Sequence, residues 1–385
     1  MPKRQEFLLN QDMCQVQMQN NSGKNINGIV LFAKSTGQTS FSSLFTIKRS
    51  LGTKKVGHTG TLDSFAQGLL VVCTGALTRL VSHITAFDKT YQAVIRFGKE
   101  TDTLEPSGKI VKETELPTIK QVFDAVENFK GKINQIPPAF SAIHVDGKRL
   151  SDIARSGKSV EIPSRQIEVF SSEILELMDE NDFIFNIDNS SLQKIDLEKK
   201  VKFARINFHV SKGTYIRSLA RDIGNFCNSS GYLVGLLRTK VGNFKLEDSV
   251  GFEFLPDFTI KSVLENLPYL ENSENFEGED SGKNFKRIDK EIEDELQNQV
   301  NKKLCTMTEK LALECGFSVA ILKDRFTKDF LNGKKLYKNM FENLSFENNQ
   351  SEVAVFAQNP ENSQKVFLGV ISQNLRYSYV VHNFF

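Results

Sequence analysis

Residues Gly57–Val72 read GHTGTLDSFAQGLLVV, a glycine-spaced loop that holds one acid and then runs into an apolar segment. The acid is Asp63, and the apolar run from Gly68 to Leu77 is typical of a buried strand. A carboxylate beside such a strand is costly unless a cation or hydrogen bonds compensate its charge. Asp63 therefore needs a partner from elsewhere in the chain.

The composition describes a globular protein with an uneven charge distribution. The chain has 385 residues, enough for two or three domains, and its net charge is +2. Residues 1–170 and 201–250 together carry +12, whereas residues 171–200 and 251–385 carry −10. A basic body with acidic appendages fits a polyanionic partner such as nucleic acid, although uneven surface charge without a partner is also common.

Cysteine usage and hydropathy indicate the compartment. The five cysteines form no C-x-x-C pair, so a zinc site is not expected, and their odd number, with Cys73 in an apolar run, indicates reduced thiols. The chain has no apolar stretch of the roughly 18 residues that a membrane span needs. Lys3 and Arg4 precede only a short apolar patch, which does not make an export signal. We expect a cytoplasmic protein.

The periodicity predicts alternating strands and helices around the loop. A strand is expected at Gly28–Ala33 and another at Val201–Val210, with a helix after the second one. A helix is also expected from Thr118, with Gln121 placed for a capping box. Between the first strand and the loop, the pattern predicts an amphipathic helix whose apolar face consists of Phe41, Leu44, Phe45 and Ile47.

Two acidic segments and the C-terminus are patterned differently. Residues 171–200 are interpreted as an insertion between two strands, and residues 270–305 as a linker or solvated helix. Strand-like runs at Phe326–Leu336, Val353–Phe356 and Val366–Ile371 predict a small β-rich domain of about 60 residues.

Taken alone, Asp63 supports two interpretations. An aspartate in a glycine loop most often caps a helix or completes a turn. However, the Thr-Gly-Thr approach lets the backbone come close to a ligand, and the following strand holds the carboxylate on a rigid element. Arg217, at the beginning of a predicted helix, is an available cation, although the spacing is equally consistent with an ordinary surface arginine.

The loop resembles the catalytic motif of the TruB family of tRNA pseudouridine synthases, through Gly57–Asp63 and Gly68. Further short blocks match the family in order and spacing: Gly28–Leu31, Asp88–Tyr91, Gly98 with Thr101–Thr103, Gln135–Pro138 with Ser141–Ala142, Gly147–Leu150 with Ala154–Arg155, and Ser211–Arg217. The C-terminal residues resemble the PUA-type RNA-binding module through Leu331–Gly333, Val353–Phe356 and Phe367–Val370.

The resemblance implies that Asp63 is the catalytic residue. In the family such an aspartate assists cleavage of the glycosidic bond of uridine, and the uracil turns and reattaches through carbon 5, without a cofactor or metal. Arg217 matches the arginine that pairs with this aspartate, which is expected to favour the charged carboxylate. Covalent and glycal-type routes are both open.

The other site residues follow from the same resemblance. Tyr91 matches the aromatic residue that stacks on the target uracil, with a core tyrosine as the alternative. His58 matches a histidine near the flipped nucleotide, with a structural role as the alternative, and Tyr215 is expected to pack in the site wall. Lys148 and Arg149 are candidates for phosphate contacts.

The chain also departs from the family pattern. Ser35 and Ser64 stand where proline is usual, which could loosen the loop after Asp63, and His144 stands where lysine is common. The loop backbone after Asp63 is therefore the least predictable part of the site.

The resemblance implies an α+β pseudouridine synthase fold, with a mixed, mainly antiparallel sheet and flanking helices. The predicted domains are a flexible extension at 1–27, a catalytic domain at 28–260 that includes the acidic insertion, an acidic linker at 261–315, and a PUA-like domain at 316–385.

The implied function is isomerisation of uridine to pseudouridine at position 55, in the T-loop of tRNA. The implied partner is tRNA, contacted at the T-arm and elbow, with no membrane and no obligate protein partner, and we expect a monomer. Two alternatives are a guide-RNA-dependent relative and a tRNA-folding chaperone with incidental catalysis.

Overall fold

A computed structural model describes residues 26–141, 144–145, 148–156, 161–187, 195–271, 289–344, 352–359 and 364–381. The predicted N-terminal extension at 1–27 lies outside these residues except for its last two, and so do parts of both acidic segments. Within the described residues, no helix is both long and apolar enough to cross a bilayer.

The described residues form nineteen strands and nine α-helices. The strands of the large sheet and its attached hairpins are β1 Gly28–Lys34, β2 Val56–His58, β3 Gln67–Thr74, β4 Lys89–Phe97, β5 Lys99–Thr101, β6 Ile110–Glu113, β7 Gly131–Gln135, β8 His144–Val145, β9 Lys148–Arg149, β10 Arg165–Asp179, β11 Ile184–Asn186, β12 Val201–Val210, β13 Gly231–Val241 and β14 Phe244–Lys245. The C-terminal strands are β15 Ser318–Leu322, β16 Phe341–Asn343, β17 Glu352–Gln358, β18 Lys365–Ser372 and β19 Tyr377–Val380. The helices are α1 Leu44–Leu51, α2 Val81–Thr85, α3 Ile119–Asn128, α4 Leu150–Arg155, α5 Ile216–Phe226, α6 Ile260–Glu271, α7 Lys290–Lys303, α8 Glu309–Glu314 and α9 Thr327–Leu331.

A ten-stranded sheet forms the centre of the molecule, in the order β1-β3-β13-β4-β12-β10-β11, with β2, β7 and β14 paired beside it. Its neighbours are antiparallel except for β3 and β13, which run parallel. The expected mixed, mainly antiparallel sheet is confirmed. Helices α1, α3 and α5 cover one face, where Ile47, Val122 and Leu219 pack against strand residues such as Val72 and Ile95.

A second, five-stranded sheet lies at the C-terminus, in the order β16-β15-β17-β18-β19. Phe317, Phe356 and Phe367 share one core cluster with Leu69 and Val71 of the large sheet, so the two sheets pack against each other. The predicted strands at 353–356 and 366–371 are confirmed. The prediction for 326–336 is wrong, because this run forms a short helix, α9, that buries Phe330 and ends before Gly333 in the left-handed region.

Part of the predicted acidic insertion is a strand of the large sheet. Residues 171–179, assigned from composition to an acidic insertion, form the second half of β10, which pairs with β12 over most of its length. Glu176 is buried there because it pairs with Arg205 at 3.0 Å and accepts a hydrogen bond from the backbone N–H of Ile260 at the beginning of α6. Composition alone therefore does not distinguish a strand that carries paired acidic residues from a solvated loop.

The described parts of the expected linker are helices that pack on the body. Leu270 of α6 and Leu296 and Val300 of α7 belong to the same core as α1. An antiparallel bridge between Ile29 and Cys305 ties the residues after α7 to β1. The N-cap Asp289, which accepts from Glu291 N–H, begins α7 within a charged sequence that shows little apolar periodicity.

The cysteines correct one prediction. Cys73, Cys227 and Cys315 are buried free thiols, in agreement with the expectation of reduced cysteines. Cys305 is disulfide-bonded, against that expectation. The reason is that the number and spacing of cysteines in a sequence do not report which sulfur atoms meet in the fold.

Candidate active site

Asp63 lies in the loop between β2 and β3, residues 59–66, called here the aspartate loop. The two strands pair with each other, with His58 opposite Val72, and Thr59 N–H donates to the Val71 carbonyl at 3.0 Å. Gly68 follows the loop at a φ of +117°, and a Cβ there would meet the backbone of Arg238 at 2.4 Å. Glycine is required at this position because β3 and β13 approach each other directly behind the loop.

The predicted ion pair between Asp63 and Arg217 is present. Arg217 Nε lies 3.2 Å from Asp63 Oδ2, and its Nη2 lies 3.2 Å from Asp63 Oδ1, a two-point contact. The arginine is buried with 8% of its side chain exposed, whereas 33% of the Asp63 side chain is exposed. One edge of the carboxylate is therefore held by a buried cation while the other stays accessible to a substrate.

Both Nη atoms of Arg217 donate two hydrogen bonds each. Beyond Asp63, Nη1 donates to the Thr103 carbonyl at 3.1 Å and to Glu105 at 3.3 Å, and Nη2 donates to the Phe140 carbonyl at 2.9 Å. Four hydrogen bonds and the ion-pair contact of Nε place five oxygen atoms around the planar fork, which fixes the orientation of the whole group. The surface-arginine interpretation of Arg217 is wrong.

Glu105 was missed by the sequence reasoning. It follows the Thr101–Thr103 block, after Leu104 in a left-handed backbone conformation at a φ of 60°, and Thr101 Oγ1 donates to its carbonyl at 2.9 Å. Burial raises the pKa of Glu105 to about 7, against the lowering influence of Arg217, and Asp63 raises it further. The sequence signal for Glu105 is its position two residues after the Thr101–Thr103 block that matches the family.

The opposite side of the aspartate loop is held by Lys34, which is fully buried. Its Nζ donates to the carbonyl of Ala66 at 2.6 Å, of Ser35 at 3.1 Å and of Ser64 at 3.4 Å. Burial lowers the pKa of Lys34 to about 7, an effect that Asp63 partly offsets and Arg238 adds to. Gly37 N–H also donates to the Ser64 carbonyl, at 2.9 Å, so the backbone after Asp63 is fixed although proline is absent.

Arg238 of β13 is the second basic residue on this side, and no sequence motif pointed to it. Its side chain is buried within the sheet. Nε donates to the Leu69 carbonyl at 2.7 Å and Nη2 to the Gly60 carbonyl at 3.1 Å. It therefore joins the beginning of the aspartate loop to the strand that follows it.

Tyr91 packs against the same core cluster as part of the aspartate loop. Tyr91 of β4 lies opposite Arg238 of β13 and packs, half-buried, against the core that also contains Leu62 and Phe65. It shares the sheet face that α5 covers, the face from which Arg217 reaches Asp63.

His58 ends β2, directly before the aspartate loop, and Tyr215 is the N-cap residue of α5, which carries Arg217. Burial lowers the pKa of His58, as does Arg238, which favours the neutral ring, and among the described residues its Nδ1 has no hydrogen-bond partner. Tyr215 precedes α5, and the buried Gln135 clamps its backbone by accepting from its N–H at 2.8 Å and donating to its carbonyl at 3.1 Å. Burial raises the pKa of Tyr215.

Lys148 and Arg149 form a two-residue strand, β9, paired with β8. Their side chains, and that of His144, lie outside the described part of the structure. Where side chains are described, no three His, Cys, Asp or Glu residues come together in a group that could hold a metal ion.

A family model and similar proteins of known name indicate the same family. A family model described as the N-terminal domain of TruB family pseudouridylate synthases matches residues 48–216. A protein of Treponema denticola named tRNA pseudouridine synthase B is 43% identical over 319 residues, which cover 83% of this chain and 87% of that protein. A protein of the same name from Borreliella burgdorferi is 40% identical over 246 residues, covering 64% of this chain and 80% of the relative.

The fold also matches a solved structure. The crystal structure of a Cbf5-Nop10-Gar1 complex contains a chain that superposes with a TM-score of 0.51 at 19% identity, covering 90% of this chain and 78% of that one. The aspartate loop lies within the family match, which ends one residue before Arg217, and the similarity to the Treponema denticola protein extends over most of both chains. The chain therefore belongs to the TruB family of tRNA pseudouridine synthases.

Proposed function

We propose that this tRNA pseudouridine synthase isomerises the uridine at position 55 in the T-loop, and that Asp63 is its catalytic residue. The observation that carries the proposal is the Asp63–Arg217 pair. It presents a carboxylate that is held at two points by a buried arginine and is one-third exposed on its free side.

The reaction needs a carboxylate in this state beside carbon 1 of the ribose. The bond between N1 of uracil and carbon 1 breaks, the base turns, and a new bond forms between carbon 5 and carbon 1. The proton of carbon 5 is lost and N1 gains one, so the reaction is an isomerisation. Asp63 acts in the bond-breaking step, and Arg217 fixes its orientation. Tyr91, on the face next to the pair, stacks on the uracil, and His58 and Tyr215 line the site.

The uridine must leave its stack to reach Asp63, which costs a few kcal/mol. Basic segments supply phosphate contacts that offset this cost, with Lys148 and Arg149 as candidates. We also propose that the C-terminal sheet is a PUA-like domain that holds another part of the tRNA. A surface pocket there is lined by Lys334, Lys335 and the exposed Tyr337, and Lys335 Nζ lies 5.5 Å from the Tyr337 ring centroid.

The choice of uridine is tested with RNA made without modifications. The purified chain is incubated with a tRNA transcript or with the T-arm stem-loop alone, and pseudouridine is mapped by carbodiimide labelling and primer extension. We expect product at position 55 in both RNAs and none when cytidine replaces that uridine. Product at other positions only would contradict the proposed specificity.

The same experiment addresses partners. We propose that the chain acts as a monomer in the cytoplasm, without a second protein. A requirement for an added RNA would favour the guide-RNA-dependent alternative, and a requirement for an added protein would contradict an independent enzyme. Light scattering of the active sample measures the oligomeric state.

A further inference from the structure

Phe41 and Phe45 do not join the core, although the sequence pattern placed them on the inner face of α1. The helix begins at Leu44, where Leu44, Ile47 and Leu51 turn inward. Phe41 lies in the preceding turn and is 61% exposed, and Phe45 is 52% exposed. The two large apolar rings therefore face solvent next to each other.

The two rings and a lysine form one compact surface. The ring centroids are 5.7 Å apart in an edge-to-face arrangement. Lys48 Nζ lies 4.5 Å from the Phe41 centroid and 5.4 Å from the Phe45 centroid. We call Phe41, Phe45 and Lys48 the α1 patch.

The α1 patch is connected to the aspartate loop by one side chain. Ser40 Oγ accepts from the Leu62 N–H at 2.8 Å and donates to the Leu62 carbonyl at 3.1 Å. Phe41 follows Ser40 directly, and Asp63 follows Leu62 directly. The patch thus lies at the rim of the proposed active site, on a helix end that is fixed to the loop.

The segment that carries the α1 patch is basic. Residues 35–62 contain four lysines and arginines, Lys48, Arg49, Lys54 and Lys55, and no aspartate or glutamate. Lys54 and Lys55 are exposed between α1 and β2, while Arg49 forms an ion pair with Glu293 of α7. Exposed aromatic rings beside exposed lysines fit a strand of nucleic acid, because bases stack on the rings while cations hold the phosphates. Two rings beside an ammonium group form too small an apolar surface for a stable protein interface, because such an interface needs about 1,000 Å² or more.

We propose that the α1 patch stacks an unpaired base of the substrate RNA next to the nucleotide that enters the active site, with Lys48 contacting a neighbouring phosphate. This inference rests on the proposed function for the identity of the RNA. The described residues offer a matched control at β11 and the residue before it. Phe183 is 61% exposed, its ring centroid lies 4.7 Å from that of Phe185, and Lys199 Nζ lies 5.2 Å from the Phe185 centroid, but this cluster lies in the acidic segment.

The test compares Phe41→Ser/Phe45→Ser with Phe183→Ser, each combined with Asp63→Asn so that binding is measured without turnover. We expect the double variant to bind the T-arm stem-loop at least about tenfold more weakly, with an unchanged melting temperature. Phe183→Ser should change the dissociation constant less than about twofold. Lys48→Gln should reduce the salt dependence of binding by about one phosphate contact. In the active enzyme the double change should raise KM and leave kcat nearly unchanged.

Three outcomes would overturn the inference. Equal RNA affinity of the double variant and its parent would show that the rings do not contact RNA. A lower melting temperature would show that they pack against another part of the chain, and a changed oligomeric state without a change in RNA affinity would show that they contact a second copy. If the unaltered enzyme forms no pseudouridine at position 55, the proposed function fails, and the affinity ratio still decides the role of the patch.

Discussion

The aspartate loop is held by paired charges on the side of α5 and by backbone hydrogen bonds on the side of β1 and β13. On the first side, Arg217 joins Asp63 to Glu105. On the second side, the hydrogen bonds of Lys34 and Arg238 go to carbonyl oxygens of the loop and its flanking residues. The first arrangement orients a functional carboxylate, whereas the second fixes the path of the chain that carries it.

This difference predicts that changes on the α5 side reduce the rate, whereas changes on the β1 side reduce stability. It also predicts that the two sides change the free energy of unfolding with pH in opposite directions. An acid with a raised pKa sits on one side, and an amine with a lowered pKa sits on the other.

The largest effect is expected for Arg217→Lys. An ammonium group has three donors on one nitrogen and cannot serve five acceptors spread over a planar fork. Asp63 loses its two-point contact in this variant. We therefore expect the single-turnover rate constant, measured by release of tritium from uridine labelled at carbon 5, to fall about 100-fold to 1,000-fold. Arg221→Lys on the same helix is the control, and an equal loss there would contradict a specific role for Arg217.

Lys34→Met should act mainly on stability. The carbonyl of Ala66 would lose its Nζ donor while that of Ser64 keeps Gly37 N–H, so we expect a loss of about 1–3 kcal/mol in the free energy of unfolding. Urea unfolding measures it, and a loss of rate as large as that of Arg217→Lys would contradict the division between the two sides.

The pH dependence of Lys34→Met adds a second measurement. The unfolded chain keeps the proton of Lys34 up to its ordinary pKa of 10.5, whereas the folded protein releases it near pH 7. Lys34 therefore makes the free energy of unfolding rise between about pH 7 and 10.5, and the variant should lack this rise.

Glu105→Gln should change the pH profile more than the maximal rate. The folded protein keeps the proton of Glu105 to about pH 7, whereas the unfolded chain releases it near 4.5. In the unaltered protein the free energy of unfolding therefore falls between about pH 4.5 and 7 through this group, the opposite sign to Lys34. The variant should lose both this fall and an inflection near pH 7 in the rate profile. Profiles that coincide would show that Glu105 does not titrate there.

The smallest effect is expected for Ser64→Pro, which restores the residue that is usual in the family. Lys34 and Gly37 already hold the Ser64 carbonyl, so a stiffer loop should change the rate less than about twofold and the stability by less than about 1 kcal/mol. A large increase in rate would mean that the loop is loose without proline.

The sequence predicted those features that depend on residues close together in the chain or on a matched block. The capping box of Thr118 and Gln121 is present, and Asp63 meets Arg217. Arg238 could not be predicted, because its burial depends on strands that pair far apart in sequence, and the burial of Glu105 depends on Arg217, which lies more than 100 residues further along the chain. The apolar pattern assigns Phe41 and Phe45 to the core, whereas Phe41 precedes α1 and Phe45 lies on its exposed side, because periodicity shows neither where a helix begins nor which of its apolar residues faces the core.

The central claim is that the Asp63 carboxylate carries the reaction, and Asp63→Asn tests it most directly. The variant keeps the size of the side chain and removes its charge. Under single-turnover conditions with saturating enzyme, we predict no detectable pseudouridine at position 55 while the dissociation constant for tRNA stays within a few-fold of that of the unaltered enzyme. Pseudouridine formation by the variant at a comparable rate would contradict the claim.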